Sequence, residues 1–278
     1  MNYATLISQY ENLLSEIGED KENLAYVFRE MKKWSHLDYL LHQNKEVSSE
    51  DLQLFKEIMA QLKRFHSPQY IVGKAYFRDL TLKVDERVLI PRPETEELVE
   101  LILKENGKES LRVLDIGTGS GAIAISLKKE RPQWILNASD ISSDALALAR
   151  ENANDYQMDI SFFESDVFSS ILGTFDIIVS NPPYIDIKDQ MEVGQNVLAS
   201  EPHLALFAEE DGFAIYRKII EEASQYLNTN GKLYFEIGYK QANVILELLK
   251  NNFPEKRVRV IKDYFGKDRM VAVDDKKT

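Results

Sequence analysis

The N-terminal part of the chain places apolar residues at the three-and-four spacing of amphipathic helices. Residues 3–17 carry an apolar stripe from Leu6 to Ile17 and end at Gly18, a residue that favours helix ends. The same spacing predicts three further helices, over residues 24–34, 37–41 and 52–62. These segments predict a small helical bundle, in which we find no residues that suggest chemistry.

The pattern changes after Ser67 to short alternating segments, which predict extended structure rather than helix. These segments are Tyr70–Val72, Tyr76–Phe77, Leu80–Val84 and Val88–Ile90. We interpret this stretch as a hairpin-like connector. A helix is predicted to begin at Pro93, because proline suits the first turn of a helix and the acidic Glu94 and Glu96 suit its positive end. Arg92, just before this helix, is the residue of this region that we expect to contact a ligand.

From Leu111 onwards, buried strands alternate with amphipathic helices, which predicts an α/β fold with helices on both faces of a mostly parallel sheet. Seven strands are predicted, at residues 111–116, 134–139, 160–164, 175–180, 232–237, 257–262 and 269–274. Helices are predicted at about 121–130, 143–154, 212–226 and 240–252. The last two strands are separated by too few residues for a helical crossover, so we expect the final strand to run antiparallel.

These patterns predict three parts of the chain. Residues 1–72 form a helical domain for substrate recognition, residues 73–92 a hairpin connector and residues 93–278 the catalytic domain. The recognition role is assigned because a docking module at this length is more common than an idle one.

Composition narrows the chemistry that this chain can perform. The chain has 278 residues, no cysteine and a net charge of −12. Disulfides, thiolate metal sites and a cysteine nucleophile are therefore excluded, and the four scattered histidines suggest no metal site. The acidic charge disfavours a phosphate backbone as partner, so we expect no direct nucleic-acid binding. With no apolar run of membrane length and no signal-like N-terminus, we expect a cytoplasmic protein that does not contact membranes.

A glycine-rich turn follows the first strand of the α/β region. Its residues are Gly117, Thr118, Gly119, Ser120 and Gly121, and Asp140 ends the next strand. Glycines let a backbone approach a ligand closely, and an acid at the end of the second strand accepts the hydroxyls of a ribose. Together, these features predict a nucleoside cofactor.

The spacing of this turn favours S-adenosylmethionine over a dinucleotide. The glycines follow Gly-x-Gly-x-Gly rather than Gly-x-Gly-x-x-Gly, and Asp115 precedes them. A carboxylate there would repel a pyrophosphate and could support an ammonium group. Asp166 and Phe168, after the third strand, are candidates to bind the adenine amino group and to pack on its ring, although a loop-capping role for Asp166 is nearly as well supported.

The fourth strand ends at Asn181, Pro182, Pro183 and Tyr184. Ligands of open α/β sheets bind at the carboxyl ends of the strands. The side chain of Asn181 and the carbonyl of Pro182 would offer two acceptors there, and Tyr184 an aromatic face. A planar group that carries an NH₂ fits this arrangement. We therefore predict Asn181, Pro182 and Tyr184 as catalytic, Asn181 also as a cofactor contact, and all four residues as substrate-binding.

Several further motifs resemble those of the peptide chain release factor glutamine methyltransferase family. They include Ile90–Glu96, Glu201-Pro202, Asp211-Gly212, Glu236-Ile237-Gly238-x-x-Gln241 and Asp268-Arg269. Their spread means that the resemblance covers nearly the whole chain. One departure is Phe168, where some members have tryptophan.

The resemblance implies a class I, Rossmann-like methyltransferase fold and the cofactor S-adenosylmethionine. It also implies methylation of the glutamine amide in the Gly-Gly-Gln motif of release factors, which are the expected protein partners, and we expect a monomer. Three alternatives stay open: a glutamine methyltransferase acting on a ribosomal protein, an adenine or guanine amino methyltransferase, and a noncatalytic nucleoside-binding module.

Overall fold

A computed structural model describes residues 1–275, in which the chain forms helices and two β-sheets. The helices are α1 (Tyr3–Glu16), α2 (Glu22–Lys32), α3 (His36–His42), α4 (Ser49–Leu62), α5 (Pro68–Val72), α6 (Pro93–Glu105), α7 (Ala122–Glu130), α8 (Ser143–Asp155), α9 (Gln195–Ser200), α10 (His203–Leu206), α11 (Glu209–Gly212), α12 (Ala214–Tyr226) and α13 (Ala242–Asn252), with a 3₁₀ helix at Ile187–Glu192. The strands are β1 (Lys74–Phe77), β2 (Leu80–Lys83), β3 (Arg112–Ile116), β4 (Ile135–Asp140), β5 (Ile160–Glu164), β6 (Phe175–Ser180), β7 (Leu227–Glu236), β8 (Lys256–Lys262) and β9 (Asp268–Asp275).

The chain divides into two compact units. Unit 1 contains Met1–Lys74 and Met191–Glu201, and unit 2 contains Ala75–Gln190 and the chain from Pro202 onwards. No helix within residues 1–275 is long and apolar enough to span a membrane.

Unit 1 is a helical bundle, and several of its helices begin at a residue whose side chain caps the first turn. The side chains of Asn2 and Ser48 accept hydrogen bonds from the first turns of α1 and α4. In the core, the rings of Phe28 and Phe55 stack with their centroids 4.0 Å apart. The buried Asp51 accepts hydrogen bonds from the hydroxyl of Tyr3 and the ammonium of Lys32, so the charge inside this bundle is paired.

Two of the predicted extended segments are wrong. Tyr70–Val72 lies in α5, because Pro68 begins a helical turn and Gly73 ends it with a left-handed φ of 77°. Val88–Ile90 belongs to no strand. Within the predicted connector only β1 and β2 form a hairpin sheet.

Unit 2 contains a seven-stranded sheet with the strand order β5-β4-β3-β6-β7-β9-β8. β3, β4, β5, β6 and β7 are parallel, whereas β9 runs antiparallel to both β7 and β8. The predicted α/β fold with an antiparallel last strand is therefore confirmed. β7 starts earlier than predicted, at Leu227, which pairs with Phe175 before the register shifts between Phe175 and Ile177.

The sheet of unit 2 has an apolar core on each face. Neighbouring residues of one strand alternate between the two cores, as Val113 and Leu114 do on β3 and Ile177 and Ile178 do on β6. The chain runs outwards from β3 to β5 on one side and resumes with β6 on the other. This reversal opens a crevice at the carboxyl ends of β3 and β6, the usual binding place in open α/β sheets.

Candidate active site

A cavity of about 220 Å³ opens at this crevice, within unit 2. Most of its surface is apolar, with polar groups at the ends of the strands, an arrangement typical of small-molecule sites. Of the residues predicted for the site, it is lined by Gly117, Thr118, Gly119, Ser120, Asp140, Asp166, Asn181, Pro182 and Pro183. Arg92, which the sequence also indicated, lines the same cavity.

The turn after β3 takes a shape that only glycine adopts readily. Gly117 and Gly119 have φ angles of 71° and 53°, and no atom lies within 4 Å of the place where a side chain would begin. The N–H groups of Gly117 and Thr118 both donate to the carbonyl of Ser139, at 2.8 and 2.9 Å. Open space therefore borders a turn that is anchored to the neighbouring strand.

Asp140 ends β4 directly beside this turn. Its Oδ2 accepts from the N–H of Gly119 at 2.9 Å, and its Oδ1 accepts from the N–H of Ser142 at 3.0 Å. Each carboxylate oxygen retains a second acceptor position. Burial raises the pKa of Asp140, and the hydrogen bonds from the backbone oppose this shift. The carboxylate is thus held in place with capacity left to accept the hydroxyls of a sugar.

Asp115 lies beneath the turn and not on the cavity wall. It is fully buried, and its Oδ2 accepts from the hydroxyl of Thr118 at 2.6 Å. Its Oδ1 has no hydrogen-bond partner among the described residues. Burial raises the pKa of Asp115 to about 7. The structure therefore gives Asp115 a role in holding the turn, rather than the direct ligand contact that the sequence suggested.

Gly121, also predicted to bind the cofactor, does not line the cavity. It precedes α7 with a φ of 83°. A side chain there would begin 3.0 Å from Cδ1 of Ile125. The sequence did not indicate Asn152 of α8, whose Nδ2 donates to the carbonyl of Ser120 at 2.9 Å. The motif around the turn could not indicate Asn152, because Asn152 lies on α8, far from the turn in sequence.

Of the two residues predicted in the loop after β5, Asp166 and Phe168, only Asp166 reaches the cavity. Asp166 lines the cavity and pairs with Lys218 at 2.5 Å. Phe168 does not reach it: its buried ring stacks on Tyr226 with a centroid distance of 4.2 Å. The expected packing of Phe168 on an adenine ring is therefore not what the structure shows, and Val167 lines the cavity instead. Val167 has a φ of 53°, which is a strained angle for a β-branched residue.

The loop after β6 carries the predicted acceptor. Ser180, the last residue of β6, is buried and donates from its hydroxyl to the carbonyl of Ile116, which fixes this strand end against β3. Asn181 donates from Nδ2 to Oγ1 of Thr95 at 3.1 Å. Thr95 in turn donates to Oε2 of the buried Glu236 at 2.6 Å. The Oδ1 of Asn181 takes no part in these two hydrogen bonds.

Tyr184 lies outside the cavity lining, and three residues pack closely against it. Its carbonyl accepts from Nε2 of Gln241 at 3.0 Å. Gly212, with a φ of 86°, lets the chain pass so close that a side chain there would begin 2.3 Å from this carbonyl. Gly238 borders the Tyr184 ring. The sequence motifs contained Gly212, Gly238 and Gln241, but gave them no role.

Burial and charge keep the Tyr184 hydroxyl protonated. Burial raises the pKa of Tyr184 to about 12, and the negative charge of Glu236 adds to this shift. Stacking of the Tyr184 ring on a substrate amide stays a prediction.

The fold and the cavity define the class of this protein. A glycine turn after β3, an acid at the end of β4 and Asn-Pro-Pro-Tyr after β6 are the parts of a class I S-adenosylmethionine-dependent methyltransferase. Residues 94–265 match the model of the methyltransferase small domain, and residues 5–73 match that of the PrmC N-terminal domain.

Sequence identity to known proteins identifies the family within this class. The chain is 55% identical over 276 residues to the release factor glutamine methyltransferase of Streptococcus pneumoniae, covering 99% of each chain. It is 52% identical over 260 residues to that of Lactococcus lactis, covering 94% of this chain and 96% of the relative. The chain therefore belongs to the release factor glutamine methyltransferase family.

A solved structure also resembles this fold. The ribosomal protein L11 methylase of Lactobacillus delbrueckii subsp. bulgaricus aligns with a TM-score of 0.51 and 25% identity, over 67% of this chain and 81% of that one.

Proposed function

We propose that this enzyme methylates the side-chain amide nitrogen of the glutamine in the Gly-Gly-Gln motif of peptide chain release factors. The single observation that carries the proposal is the Asn181 carboxamide, which lines the cavity while its NH₂ group is bound to Thr95. Its oxygen is thereby available to accept from an incoming NH₂ group. The relatives at 55% and 52% identity, both release factor glutamine methyltransferases, support this choice of substrate.

The residues around the turn after β3 fit S-adenosylmethionine. Asp140 has acceptor capacity for ribose hydroxyls, and Gly117 and Gly119 leave space where side chains would begin. Asp166 lines the cavity and could accept from an adenine amino group. When bound, S-adenosylmethionine supplies an electrophilic methyl group on a sulfonium centre.

The task of the protein is to orient a weak nucleophile. The lone pair of an amide nitrogen is delocalised into its carbonyl, so the nitrogen attacks only when its approach is fixed. Asn181 Oδ1 and the carbonyl of Pro182 would accept the two N–H bonds and hold the nitrogen in place. Orientation of this kind contributes about 7–11 kcal/mol in well-positioned systems.

The same acceptors stabilise the charge that develops during transfer. The nitrogen would form a bond to the methyl group while the methyl–sulfur bond breaks and a neutral thioether leaves. The nitrogen then becomes positive, and acceptors fixed beforehand favour that state without reorganising. The N-methylated amide cation is a strong acid, so its proton leaves to solvent without a dedicated base.

The substrate assignment is tested with intact release factor. After incubation with S-adenosylmethionine, the mass of the factor should rise by one methyl group. A factor whose Gly-Gly-Gln glutamine is replaced by alanine should gain none. Labelling of the alanine variant, or of ribosomal protein or nucleic acid in place of the factor, would contradict the assignment.

Unit 1, in this proposal, recognises the release factor, and the enzyme acts as a cytoplasmic monomer on this protein rather than on nucleic acid. A Gly-Gly-Gln loop has few side chains to recognise, whereas a standard protein interface buries about 1,600 Å². α3 buries none of its residues, and Leu37 and Leu41 are exposed on it. Exposed apolar groups of this kind are typical of docking surfaces.

Replacement of these leucines measures the docking role. Leu37→Ser combined with Leu41→Ser should lower kcat/KM for intact release factor by about 10-fold and leave cofactor affinity unchanged. Leu172→Ser, at a leucine of unit 2 that is even more exposed, is the control and should have no effect. Equal kinetics for all three proteins would contradict the docking role.

A further inference from the structure

Three parts of unit 2 meet behind the acceptor of the active site. The loop after β6 contributes Asn181, the first turn of α6 contributes Thr95, and the end of β7 contributes Glu236. The pairing of Ser180 with Phe235 places Asn181 and Glu236 at the same edge of adjacent strands. Thr95 is 5% exposed and Glu236 is 1% exposed, so water does not compete for their hydrogen bonds.

We propose that Glu236 and Thr95 are positioning residues that determine which end of the Asn181 carboxamide faces the substrate. This inference rests on the proposed function, because it concerns the acceptor used in that reaction. Thr95 borders the cavity and Glu236 lies behind it, and the proposed role of both concerns Asn181 rather than a contact with substrate or cofactor. They act through Asn181.

The direction of the hydrogen bonds follows from what each group can donate. An ionised carboxylate only accepts, so Glu236 takes the hydroxyl proton of Thr95 across 2.6 Å. The Thr95 oxygen is then left with lone pairs, and it accepts from Nδ2 of Asn181 across 3.1 Å. The amide of Asn181 must therefore direct its NH₂ group to Thr95 and its oxygen away from Thr95.

The reversed amide would be unfavourable for two reasons. Asn181 Oδ1 would face the Thr95 oxygen with no proton between them. On its other side, the NH₂ group of Asn181 would meet the NH₂ group of the substrate glutamine, donor against donor. Unpaired buried polar groups cost about 1–3 kcal/mol each, so the carboxylate biases the amide towards the productive orientation.

Loss of the charge on Glu236 would remove this bias. A protonated carboxyl group can donate to Thr95, and the Thr95 hydroxyl can then donate to Asn181 Oδ1 in the reversed orientation. Burial raises the pKa of Glu236 to about 7; the Thr95 hydroxyl and the positive charges of Arg269 and Arg92 lower it, and the negative charge of Glu94 raises it. Tyr184 and Tyr216 also face this group, and the Tyr216 hydroxyl donates to the main-chain carbonyl of Glu236.

The hydroxyl of Thr95 can be removed without changing its shape. Thr95→Val should lower kcat by about 10- to 100-fold, a smaller loss than removal of the stabilising group itself would cause, while the Kd for S-adenosylmethionine stays unchanged. Thr95→Ser keeps the hydroxyl and should restore kcat to within about 3-fold of the original. Thr174→Val is the matched control, because it removes a hydroxyl bonded to the side chain of Asn228 and lies outside the cavity lining. It should retain the original kcat.

The kinetic outcomes separate the inference from the proposed function. Absence of methyl transfer by the unaltered enzyme would overturn the proposed function. Normal transfer by both the unaltered enzyme and Thr95→Val would overturn the positioning role alone. An equal loss in Thr95→Ser and Thr95→Val would also overturn it, since the hydroxyl would then not matter.

A spectroscopic comparison tests the same arrangement without turnover. The side-chain amide signal of Asn181 in a ¹⁵N spectrum, identified by its loss in Asn181→Asp, should shift in Glu236→Gln and in Thr95→Val. It should stay in place in Thr174→Val. An Asn181 signal that is unchanged in Glu236→Gln would overturn the inference, including in the case where Thr95→Val does not fold.

Discussion

Two loops at one edge of the same sheet form the active site by different means. The turn after β3 is made largely of backbone: glycines with positive φ and N–H groups that bind Ser139 and Asp140. The loop after β6 instead depends on one side chain, Asn181, whose amide is bound by Thr95. The shape of the first loop is determined by its own residues. The orientation of Asn181 in the second loop depends instead on Thr95 of α6 and Glu236 of β7.

Two buried carboxylates repeat this difference. Asp115 and Glu236 are both buried, and burial raises the pKa of each to about 7. Asp115 binds Thr118, three residues along the chain, and so supports its own turn. Glu236 binds Thr95, which is 141 residues away in sequence. The same kind of group therefore acts locally in one loop and over a long range in the other.

Removal of the acceptor side chain should give the largest loss of activity. It should impair the second loop and leave the first loop intact. Asn181→Ala should lower kcat by about 100- to 1,000-fold, because one group that stabilises the transition state is lost. The Kd for S-adenosylmethionine, measured by calorimetry, should change little, because the first loop is intact. Asn181→Asp should keep part of the activity, since a carboxylate also accepts. Normal turnover of Asn181→Ala would contradict the acceptor role.

Removal of the carboxylate beside the first loop should mainly weaken cofactor binding and should lower kcat less. Asp140→Ala should weaken S-adenosylmethionine binding by about 1–3 kcal/mol, because ribose hydroxyls and the N–H of Gly119 lose their acceptor. At saturating cofactor, kcat should fall much less than in Asn181→Ala. The control is Asp155→Ala, at an exposed carboxylate that pairs with Lys83. Equal cofactor affinity in Asp140→Ala and the control would contradict the assignment.

The two buried carboxylates should also produce a pH dependence of stability. Their folded-state pKa values lie above their unfolded values, so between about pH 4.5 and 7 the folded protein binds more protons than the unfolded chain. The free energy of unfolding should therefore fall as pH rises through this window, by up to about 3 kcal/mol for each group. Asp79 and Asp85, whose pKa values are lowered by hydrogen bonds from Lys129 and Arg87, act at lower pH.

Denaturant unfolding at pH 6 and pH 8 measures this effect. The protein should be more stable at pH 6, and Glu236→Gln should reduce the difference. A stability that rises from pH 6 to pH 8 would show that neither carboxylate is protonated in the folded state near neutral pH.

The sequence alone determined the order of the seven strands of the large sheet and of the long helices, because hydrophobic periodicity and capping residues act over a few neighbouring positions. It also determined the antiparallel last strand, through the short connection before Asp268. The predictions from the sequence were wrong where residues that favour strands lie between signals that favour a helix. Tyr70–Val72 is rich in residues that favour strands, yet Pro68 and Gly73 enclose it in a helical turn.

The same division holds within the active site. Gly117, Gly119, Asp140 and Asn181 were predictable, because each lies in or directly after a strand end, and the carboxyl ends of parallel strands meet at one edge. The burial of Phe168 against Tyr226 was not, since it depends on packing with α12.

The bonds that orient Asn181 and hold Tyr184 were decided only by the tertiary structure. Thr95, Glu236 and Gln241 are far from these residues in the sequence, and nothing in their own surroundings marks them as partners. A backbone turn is specified by its own residues, because φ and ψ are local. A side-chain amide is oriented by whichever donors and acceptors the fold places beside it.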